Sequence, residues 1–320
     1  MHSIKQVWAE IKKHQTFLIT THHNPDADAA CSALAMAMVL KKMGKKVIVV
    51  NEDSLPAWLD FLPQAKSFIR KSTIKKVPVF DAIIILDCGD RERIGNVAKL
   101  ITTQRSINID HHVTNDSFGH VNLVLPKASS TCEMLFELFQ AAKVKINKDL
   151  AVLLYSGIMT DTGSFRYDST TSHTHAIAAE LMAFGISAPE MHQRHYVGIP
   201  SKDIKGFIDV IHSAELLFNN RVYSVLLPKT VTDGFSKGFD LKEKIFGFLR
   251  SVEGIEVVVI FQELASRVTR INFRSQSKFD VAKLASQFNG GGHKKASGAK
   301  LDLSIQESKK KVLAAIKRGL

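Results

Sequence analysis

Cysteine, tryptophan and tyrosine are scarce in this sequence, and long apolar runs are absent from it. Its 320 residues include three cysteines, two tryptophans and four tyrosines. The cysteines, Cys31, Cys88 and Cys132, are widely spaced and form no CxxC pair, which argues against a disulfide framework and a thiolate zinc site. No apolar run approaches the roughly 18 residues that a membrane helix needs, and the amino-terminal stretch is amphipathic rather than signal-like. We therefore expect a cytoplasmic protein with buried thiols and no membrane partner.

Acidic residues are outnumbered by basic ones. The chain has 43 Lys and Arg against 31 Asp and Glu, a formal charge of +12. Such an excess favours a polyanionic partner, for example RNA or a phosphorylated small molecule, although a solvated lysine-rich surface would give the same count. The rest of the composition, 45% hydrophobic and 23% charged, is ordinary for a globular protein.

The order of apolar runs predicts an α/β fold in two domains. Near-continuous apolar strands, typical of a parallel sheet covered on both faces, are predicted at 17–22, 46–51, 82–87 and 106–110. A more polar helical segment follows, and further strands and helices come after it. We predict a doubly wound, mostly parallel sheet domain over 1–186, a helical linker over 187–213, and a smaller α/β domain with a mixed sheet over 214–320. Two capping boxes are predicted at helix starts, Ser130 with Glu133 and Ser304 with Glu307.

Aspartate and histidine residues follow the predicted strands at the points where these end. In an open parallel sheet the carboxyl ends of the strands line one crevice, where ligands bind. Three strand ends and the end of one predicted helix deliver such side chains: His22, Asp26, Asp28, Asp87, Asp110, His111, His112 and Asp161. Taken singly, a histidine at a strand end or an aspartate before a helix is more often structural, the aspartate as an N-cap. Together they predict a metal site.

The type of metal follows from the ligand chemistry. Carboxylates mixed with imidazoles suit Mn²⁺ or a related divalent ion, with Mg²⁺ and Co²⁺ as alternatives. Two such ions would nearly neutralise the four carboxylates of Asp26, Asp28, Asp87 and Asp161, and an anionic phosphate could then approach. Two-metal sites of this kind support in-line phosphoryl displacement.

A second candidate site lies near the carboxyl end, in the stretch NGGGHKKASG. Gly290, Gly291 and Gly292 can adopt backbone angles closed to other residues, so their N–H groups could converge on an anion. Positive and hydroxyl side chains follow them: His293, Lys294, Lys295 and Ser297. The alternative is a plain glycine turn with exposed lysines. Upstream, Arg274 and Ser275 end a predicted strand, where the arginine fork could grip a terminal phosphate.

These stretches resemble one known family. HHNPDAD, LDCGD, IDHH and YSGIMTDTGSFRY are similar to the four motifs of the DHH superfamily of phosphoesterases. NGGGHKKASG is similar to the signature of the DHH-associated C-terminal domain. The chain resembles most the bacterial oligoribonuclease (nanoRNase) and pAp phosphatase branch, called NrnA-like. It departs from the common pattern at Ala27 and Cys31, where glycines are frequent, although neither is a ligand position.

The resemblance implies an activity and a role for each residue. Members of that branch degrade RNAs of a few nucleotides to mononucleotides and convert 3′-phosphoadenosine 5′-phosphate (pAp) to AMP, and some cleave linear dinucleotides (pGpG, pApA) or cyclic ones. One metal would be held by His22, Asp26 and Asp87, and the other by Asp28, Asp87, His111 and Asp161. His112 would contact the scissile phosphate or assist the leaving oxygen, and Asp110 would orient a histidine. The C-terminal domain would hold the far end of the substrate, so that only short substrates fit, with weak base preference.

Several alternatives stay open from the sequence. Within enzymes these are a family II pyrophosphatase, an exopolyphosphatase and a single-strand DNA exonuclease. From a different class, a nucleic-acid-binding protein without catalysis would also use the positive charge, although it would not need the metal ligands. The sequence does not rank RNA, pAp, linear dinucleotides and cyclic dinucleotides as substrates. It also does not define the oligomeric state, so a homodimer is left open.

Overall fold

The structure is a computed structural model that describes residues 2–75, 78–196, 198–236, 238–276 and 278–320. The chain divides into two compact units, Met1–Val197 and Gly198–Leu320. The predicted linker segment 187–213 contains this division, and its residues form one helix in each unit. The predicted boundaries themselves stay a prediction.

The first unit is built on a parallel sheet of six strands. The strands are β1 Thr16–Thr20, β2 Lys46–Asn51, β3 Phe68–Arg70, β4 Ala82–Leu86, β5 Arg105–Asp110 and β6 Val121–Val124. In spatial order β3-β2-β1-β4-β5-β6, all neighbouring strands run parallel. Its α-helices are α1 Ile4–Lys13, α2 Ala27–Lys42, α3 Thr131–Ala141, α4 Lys148–Asp161, α5 Ser172–Met182 and α6 Ala188–Tyr196.

Alternate residues of the central strands face two separate cores. Ile84 of β4 packs in the larger core with α2, α3 and α4, whereas Ile83 and Ile85 pack in a smaller core on the other face. Both faces of the sheet are therefore covered, which explains why these strands are apolar throughout. The predicted doubly wound, mostly parallel arrangement is confirmed.

The second unit has a mixed sheet of six strands. They are β7 Glu215–Leu217, β8 Val222–Leu227, β9 Val257–Ala265, β10 Val268–Ser275, β11 Gly291–His293 and β12 Ala296–Leu301, in spatial order β11-β12-β10-β9-β8-β7. Strands β8 and β9 pair in parallel and the other neighbours pair antiparallel, so the predicted mixed sheet is confirmed. The α-helices are α7 Ile204–His212, α8 Lys229–Thr232, α9 Leu241–Leu249, α10 Val281–Ser286 and α11 Ile305–Gly319.

One predicted helix start is corrected by the structure. Ser130 caps α3 by accepting from the backbone N–H of Glu133 at 3.0 Å, but the carboxylate of Glu133 does not reach back to it. That carboxylate accepts instead from the hydroxyls of Ser129 and Thr174. The second predicted box, Ser304 with Glu307 at the start of α11, is confirmed.

The three cysteines are free and buried, as expected. Among the described residues, no helix is long and apolar enough to cross a membrane.

Candidate metal centre

The ends of three neighbouring parallel strands bring the predicted ligands together. Strands β1, β4 and β5 are adjacent in the sheet, and Thr20 lies beside Ile85 while Leu86 lies beside Ile109. The residues that follow these pairs therefore emerge at one edge. His22, Asp87 and His111 are all buried there, with at most 5% of their surface exposed.

A first group consists of His22, Asp26 and Asp87. Nε2 of His22 is 3.8 Å from Oδ2 of Asp26 and 3.5 Å from Oδ2 of Asp87. Nδ1 of His22 donates to the carbonyl of His23 at 2.8 Å, which leaves the Nε2 lone pair directed at the carboxylates. Asp26 also serves as the N-cap of α2, accepting from Ala29 N at 3.0 Å. Asp26 is therefore both the N-cap of α2 and a predicted metal ligand.

A second group consists of Asp28, His111 and Asp161. Nε2 of His111 is 3.3 Å from Oδ2 of Asp161 and 3.4 Å from Oδ1 of Asp87. The other ring nitrogen of His111 donates to the carbonyl of Ala128 at 3.3 Å, the arrangement by which proteins fix a metal-binding imidazole. In each of the two groups, one ligand atom per residue lies within 4.8 Å of the others.

The amino end of α3 anchors two of these carboxylates. Asp28 accepts from the backbone N–H groups of Thr131 at 2.7 Å and Cys132 at 3.0 Å. The hydroxyl of Thr131 donates to Oδ1 of Asp87 at 3.1 Å. Each carboxylate oxygen has two lone pairs, so these bonds orient Asp28 and Asp87 and leave acceptor capacity for a cation.

Asp87 lies at the junction of both groups, in an unusual backbone conformation. Its φ is +53°, in the left-handed region that non-glycine residues seldom adopt. The left-handed turn directly after β4 holds the Asp87 carboxylate between His22 and His111. Such conformations are concentrated at functional sites, where the surrounding structure offsets their cost.

Beside these groups, Asp110 and His112 form a buried pair. Nδ1 of His112 donates to Oδ1 of Asp110 at 2.7 Å, and Asn115 donates to the other carboxylate oxygen at 2.6 Å. Nε2 of His112 is 3.5 Å from Nη1 of Arg93. The pair thus fixes both the ring orientation and the tautomer of His112.

Burial and charge pull the pKa values of these carboxylates in opposite directions. Burial, then repulsion from Asp87, raises the pKa of Asp28 to about 7. Burial also raises the pKa of Asp161, although the charge of His111 opposes the shift. Burial favours the neutral form of Asp87 as well, but hydrogen bonds from His111 and His22 outweigh it and hold its pKa well below the ordinary value.

The residues gathered at the strand ends have the chemistry that divalent cations require. The cluster combines buried carboxylates whose negative charges are mutually unfavourable with two imidazoles that present lone pairs. Positive charge at its centre would relieve the repulsion between the carboxylates, which adds to burial in raising the pKa of Asp28 and Asp161. The oxygen and nitrogen donors match the preferences of Mn²⁺-like ions. The buried thiols nearby are poor ligands in comparison, because burial raises the pKa of Cys31 and Cys132 well above the ordinary value.

Sequence reasoning missed three side chains at this edge: Arg93, Asn115 and Thr131. Thr131 could have been found from the sequence, since it directly follows Ser130, the predicted helix cap. Asn115 lies in a loop and Arg93 in the 3-10 helix Glu92–Leu100, where the sequence pattern does not predict the direction of either side chain. Arg93 is in LDCGDRERIG, a few residues after Asp87, and its Nη1 lies 3.5 Å from Nε2 of His112, which follows β5.

In the second unit the predicted substrate residues lie on and beside β10. Arg274 stacks on Phe246, with 4.7 Å from its guanidinium carbon to the ring centroid, and forms an ion pair with Glu243. Its side chain remains 18% exposed. Ser275 is buried, and its backbone N–H donates to the carbonyl of Lys295 at 2.9 Å. This bond ties the end of β10 to the lysine pair.

The predicted glycine loop is in fact part of a β-hairpin, whereas the predicted binding of an anion by Gly290, Gly291 and Gly292 stays a prediction. Gly291, Gly292 and His293 form β11, which pairs with β12 through the turn at Lys294 and Lys295. Glycine is needed here for close packing, because a Cβ on Gly292 would lie 2.6 Å from the carbonyl oxygen of Ala296. A Cβ on Gly290 would likewise overlap the backbone of the paired strand.

Ser297 has an internal partner. It is buried, and its hydroxyl donates to the carbonyl of Val281 at 2.6 Å. The hydroxyl thus joins β12 to the start of α10. Its predicted contact with substrate stays a prediction, as do those of His293 and Lys294.

Comparison with known families gives two matches along the chain. Residues 16–158 match the DHH family, N-terminal domain, and residues 240–320 match the DHHA1 domain. The first match contains most of the residues gathered at the strand ends, and Asp161 follows it by three residues. The second match contains Arg274, Ser275 and the hairpin.

Curated relatives align over nearly the whole chain. A protein of Thermus thermophilus named "Bifunctional oligoribonuclease and PAP phosphatase NrnA" is 30% identical over 94% of this chain and 89% of its own length. One of Bacillus subtilis with the same name is 29% identical over 91% of each. A solved structure, an exopolyphosphatase-related protein of Bacteroides fragilis, has a TM-score of 0.88 and 25% identity, covering 98% of this chain and 95% of its own.

Proposed function

The chain belongs to the DHH family of phosphoesterases and carries a DHHA1 domain, and from this membership we propose that it hydrolyses short oligoribonucleotides to mononucleotides and pAp to AMP. The observation that carries the proposal is the convergence of His22, Asp26, Asp28, Asp87, His111 and Asp161 at one sheet edge. Both proposed substrates are phosphate esters of nucleotides, and the relatives from Thermus and Bacillus are named for both activities.

Two divalent ions, most consistent with Mn²⁺, would be held by these six residues. We assign His22, Asp26 and Asp87 to one ion and Asp28, Asp87, His111 and Asp161 to the other. When bound, such ions supply Lewis-acid stabilisation of the charge that builds on the phosphate during displacement. The chain's own residues then have two tasks, to hold the phosphate and to manage protons.

Proton management falls to the pair of His112 and Asp110. Hydrolysis forms a bond from water oxygen to phosphorus and breaks the ester bond, so the attacking water loses one proton and the leaving oxygen gains one. His112 can supply it from Nε2, because its Nδ1 is committed to Asp110 at 2.7 Å. The buried carboxylate orients the ring and stabilises its protonated form, as in other histidine–aspartate pairs.

Substrate holding falls partly to the second unit. Arg274 offers a partly exposed guanidinium on β10, and His293 and Lys294 lie at the turn of the β11–β12 hairpin, whose strand β12 pairs with β10. These groups read phosphate rather than base edges, so we expect weak base preference. Linear or cyclic dinucleotides would be further substrates of the same chemistry.

The test compares initial rates on four substrates with Mn²⁺ present and after its removal with a chelator. These are an RNA dinucleotide, a long single-stranded RNA, pAp and pyrophosphate. We expect metal-dependent release of mononucleotide from the dinucleotide, slower cleavage of the long RNA, and AMP from pAp. Equal rates on both RNAs would contradict the short-substrate proposal. Turnover of pyrophosphate alone would support the pyrophosphatase alternative, and RNA binding without any turnover would support the non-catalytic one.

A further inference from the structure

Arg93 directs its guanidinium at the proton-handling side of the metal centre. Nη1 of Arg93 is 3.5 Å from Nε2 of His112, whose other ring nitrogen bonds Asp110. Nδ1 of His112 is in turn 3.6 Å from Oδ1 of Asp87, so the guanidinium lies beside a histidine that contacts the carboxylate shared by both groups.

The backbone of Arg93 is fixed to the loop that carries the first ligands. Its N–H donates to Oδ1 of Asp90 at 2.8 Å. Its carbonyl accepts from both the backbone N–H of His23, at 2.6 Å, and the ring Nδ1 of His23, at 2.9 Å. Three hydrogen bonds thus hold the backbone at this residue, so the side chain starts from a defined position.

The guanidinium of Arg93 has N–H donors available for a ligand. Within the part of the chain that the structure describes, no ion pair engages it, and its one side-chain contact is with His112. Arg93 is half-buried rather than enclosed. A guanidinium offers five N–H donors, so a single long contact to a ring nitrogen leaves most of them for a ligand.

We propose that Arg93 is a catalytic residue that donates hydrogen bonds to a non-bridging oxygen of the scissile phosphate. The inference rests on the proposed function and deepens it. Excess negative charge develops on those oxygens during displacement, and a fixed guanidinium stabilises it in the transition state. Movement of one N–H from His112 Nε2 to the phosphate would also let that nitrogen take up the proton that it then passes to the leaving oxygen.

The first test is substitution of Arg93 by Gln, with Arg91 to Gln as the matched control. Arg91 lies two residues earlier, is exposed, and donates from Nη2 to the carbonyl of Ile101 at 3.3 Å, away from the centre. We expect R93Q to lower kcat/KM about 100-fold on the dinucleotide and on pAp. R91Q should stay within about twofold of the unchanged protein, because exposed charges act weakly through solvent. Equal rates for R93Q and R91Q would overturn the inference.

Two further measurements separate contact with phosphate from a structural role. Metal content and thermal midpoint of R93Q should equal those of the unchanged protein, whereas inorganic phosphate, titrated by calorimetry with Mn²⁺ present, should bind more weakly. Added guanidinium ion at low concentration should restore part of the activity of R93A. A loss of activity that comes with loss of metal, and without rescue, would show a positioning role and overturn the inference.

Failure of the proposed function has a different signature. In that case the unchanged protein turns over neither dinucleotide nor pAp. The phosphate titration alone then decides the inference. Weaker phosphate binding by R93Q than by R91Q would still show that Arg93 binds an anion, whereas equal binding would overturn the inference.

Discussion

His112 and Asp110 are joined by a 2.7 Å hydrogen bond from Nδ1 to Oδ1, and Asp110 is fully buried. The two residues are separated in sequence only by His111. Their side chains can meet because β5 ends at Asp110 and the extended strand conformation does not continue to His112. Burial alone would raise the pKa of Asp110, but the hydrogen bond and charge of His112 keep it below the ordinary value. The carboxylate therefore stays ionised beside the imidazole.

The first prediction concerns this pair. Asp110→Asn removes the negative charge and can present an N–H to His112, which would favour the wrong tautomer. We expect kcat to fall about 100-fold or more while metal content is unchanged, since Asp110 is not an assigned ligand. Steady-state rates and elemental analysis check this. Asp116→Asn is the control, because Asp116 is exposed in the same loop; an unimpaired D110N protein would contradict the role of the pair.

The second prediction concerns the close approach of α2, α3 and α4. A Cβ on Gly157 of α4 would lie 2.6 Å from Oδ1 of Asp28 and would overlap the side chain of Cys132. Gly157→Ala should lower the free energy of unfolding by about 1–3 kcal/mol and weaken metal binding through Asp28. Urea unfolding and a metal titration measure the two effects.

Gly247→Ala is the matched control for that substitution. Gly247 is also inside a helix, but among the described residues no atom beyond its chain neighbours and its own helix backbone lies within 4 Å of a Cβ built there. Alanine should therefore be neutral or stabilise the protein by up to about 1 kcal/mol. If Gly157→Ala and Gly247→Ala changed the free energy of unfolding equally, crowding at Asp28 would not be the cause of the destabilisation.

The third prediction concerns pH and His195, in α6. Its ring contacts Trp58 and Phe61, and neither ring nitrogen finds a hydrogen-bond partner among the described residues. Burial lowers its pKa from the ordinary 6.5 to about 4. The folded state therefore resists protonation, so the stability that depends on the neutral ring is complete above pH 6.5 and is lost as pH falls toward 4.

His195→Leu should remove that loss. We expect a gain of about 1 kcal/mol in the free energy of unfolding at neutral pH, from removing unpaired polar atoms, and a larger gain near pH 4.5. Urea unfolding at both pH values measures the difference. His173→Gln is the control, because His173 is exposed beside Glu137; a gain for H195L that is the same at both pH values would contradict the assignment.

The fourth prediction concerns Arg274. Its ion pair with Glu243 and its stacking on Phe246 hold the guanidinium in place. Arg274→Gln should raise KM for pAp and the dinucleotide about tenfold with a smaller effect on kcat, because it removes binding that ground state and transition state share. Arg267→Gln provides the comparison, since Arg267 is exposed and pairs with Glu307. A fall in kcat with KM unchanged would place Arg274 at the reacting phosphate instead.

The sequence predicted the elements that carry strong periodicity and missed those that depend on tertiary pairing. Strands β1, β2, β4 and β5 were predicted from apolar runs that both cores require. Strands β3 and β6 were not, because each is short and is stabilised by the edge it pairs with. The glycine stretch was predicted as a loop since glycine has low strand propensity, whereas pairing with β12 overrides that preference.

The site was predictable to the extent that it follows topology. Residues after adjacent parallel strands must meet, so His22, Asp87 and His111 could be grouped from the sequence alone. The bonds that orient them could not, since Ala128 and Thr131 come from a different segment and act partly through the backbone. Arg93 was missed for the same reason, because its direction depends on how the 3-10 helix after β4 packs against the strand ends.

Metal stoichiometry tests the central claim most directly. Protein freed of metal, equilibrated with Mn²⁺ and analysed for bound metal, should carry two ions per chain. Asp87→Asn should bind fewer than two and should lose turnover of the dinucleotide, because Asp87 is assigned to both ions. Retention of two ions and an unchanged rate by D87N, or one ion or none in the unchanged protein when it is active, would contradict the two-metal account.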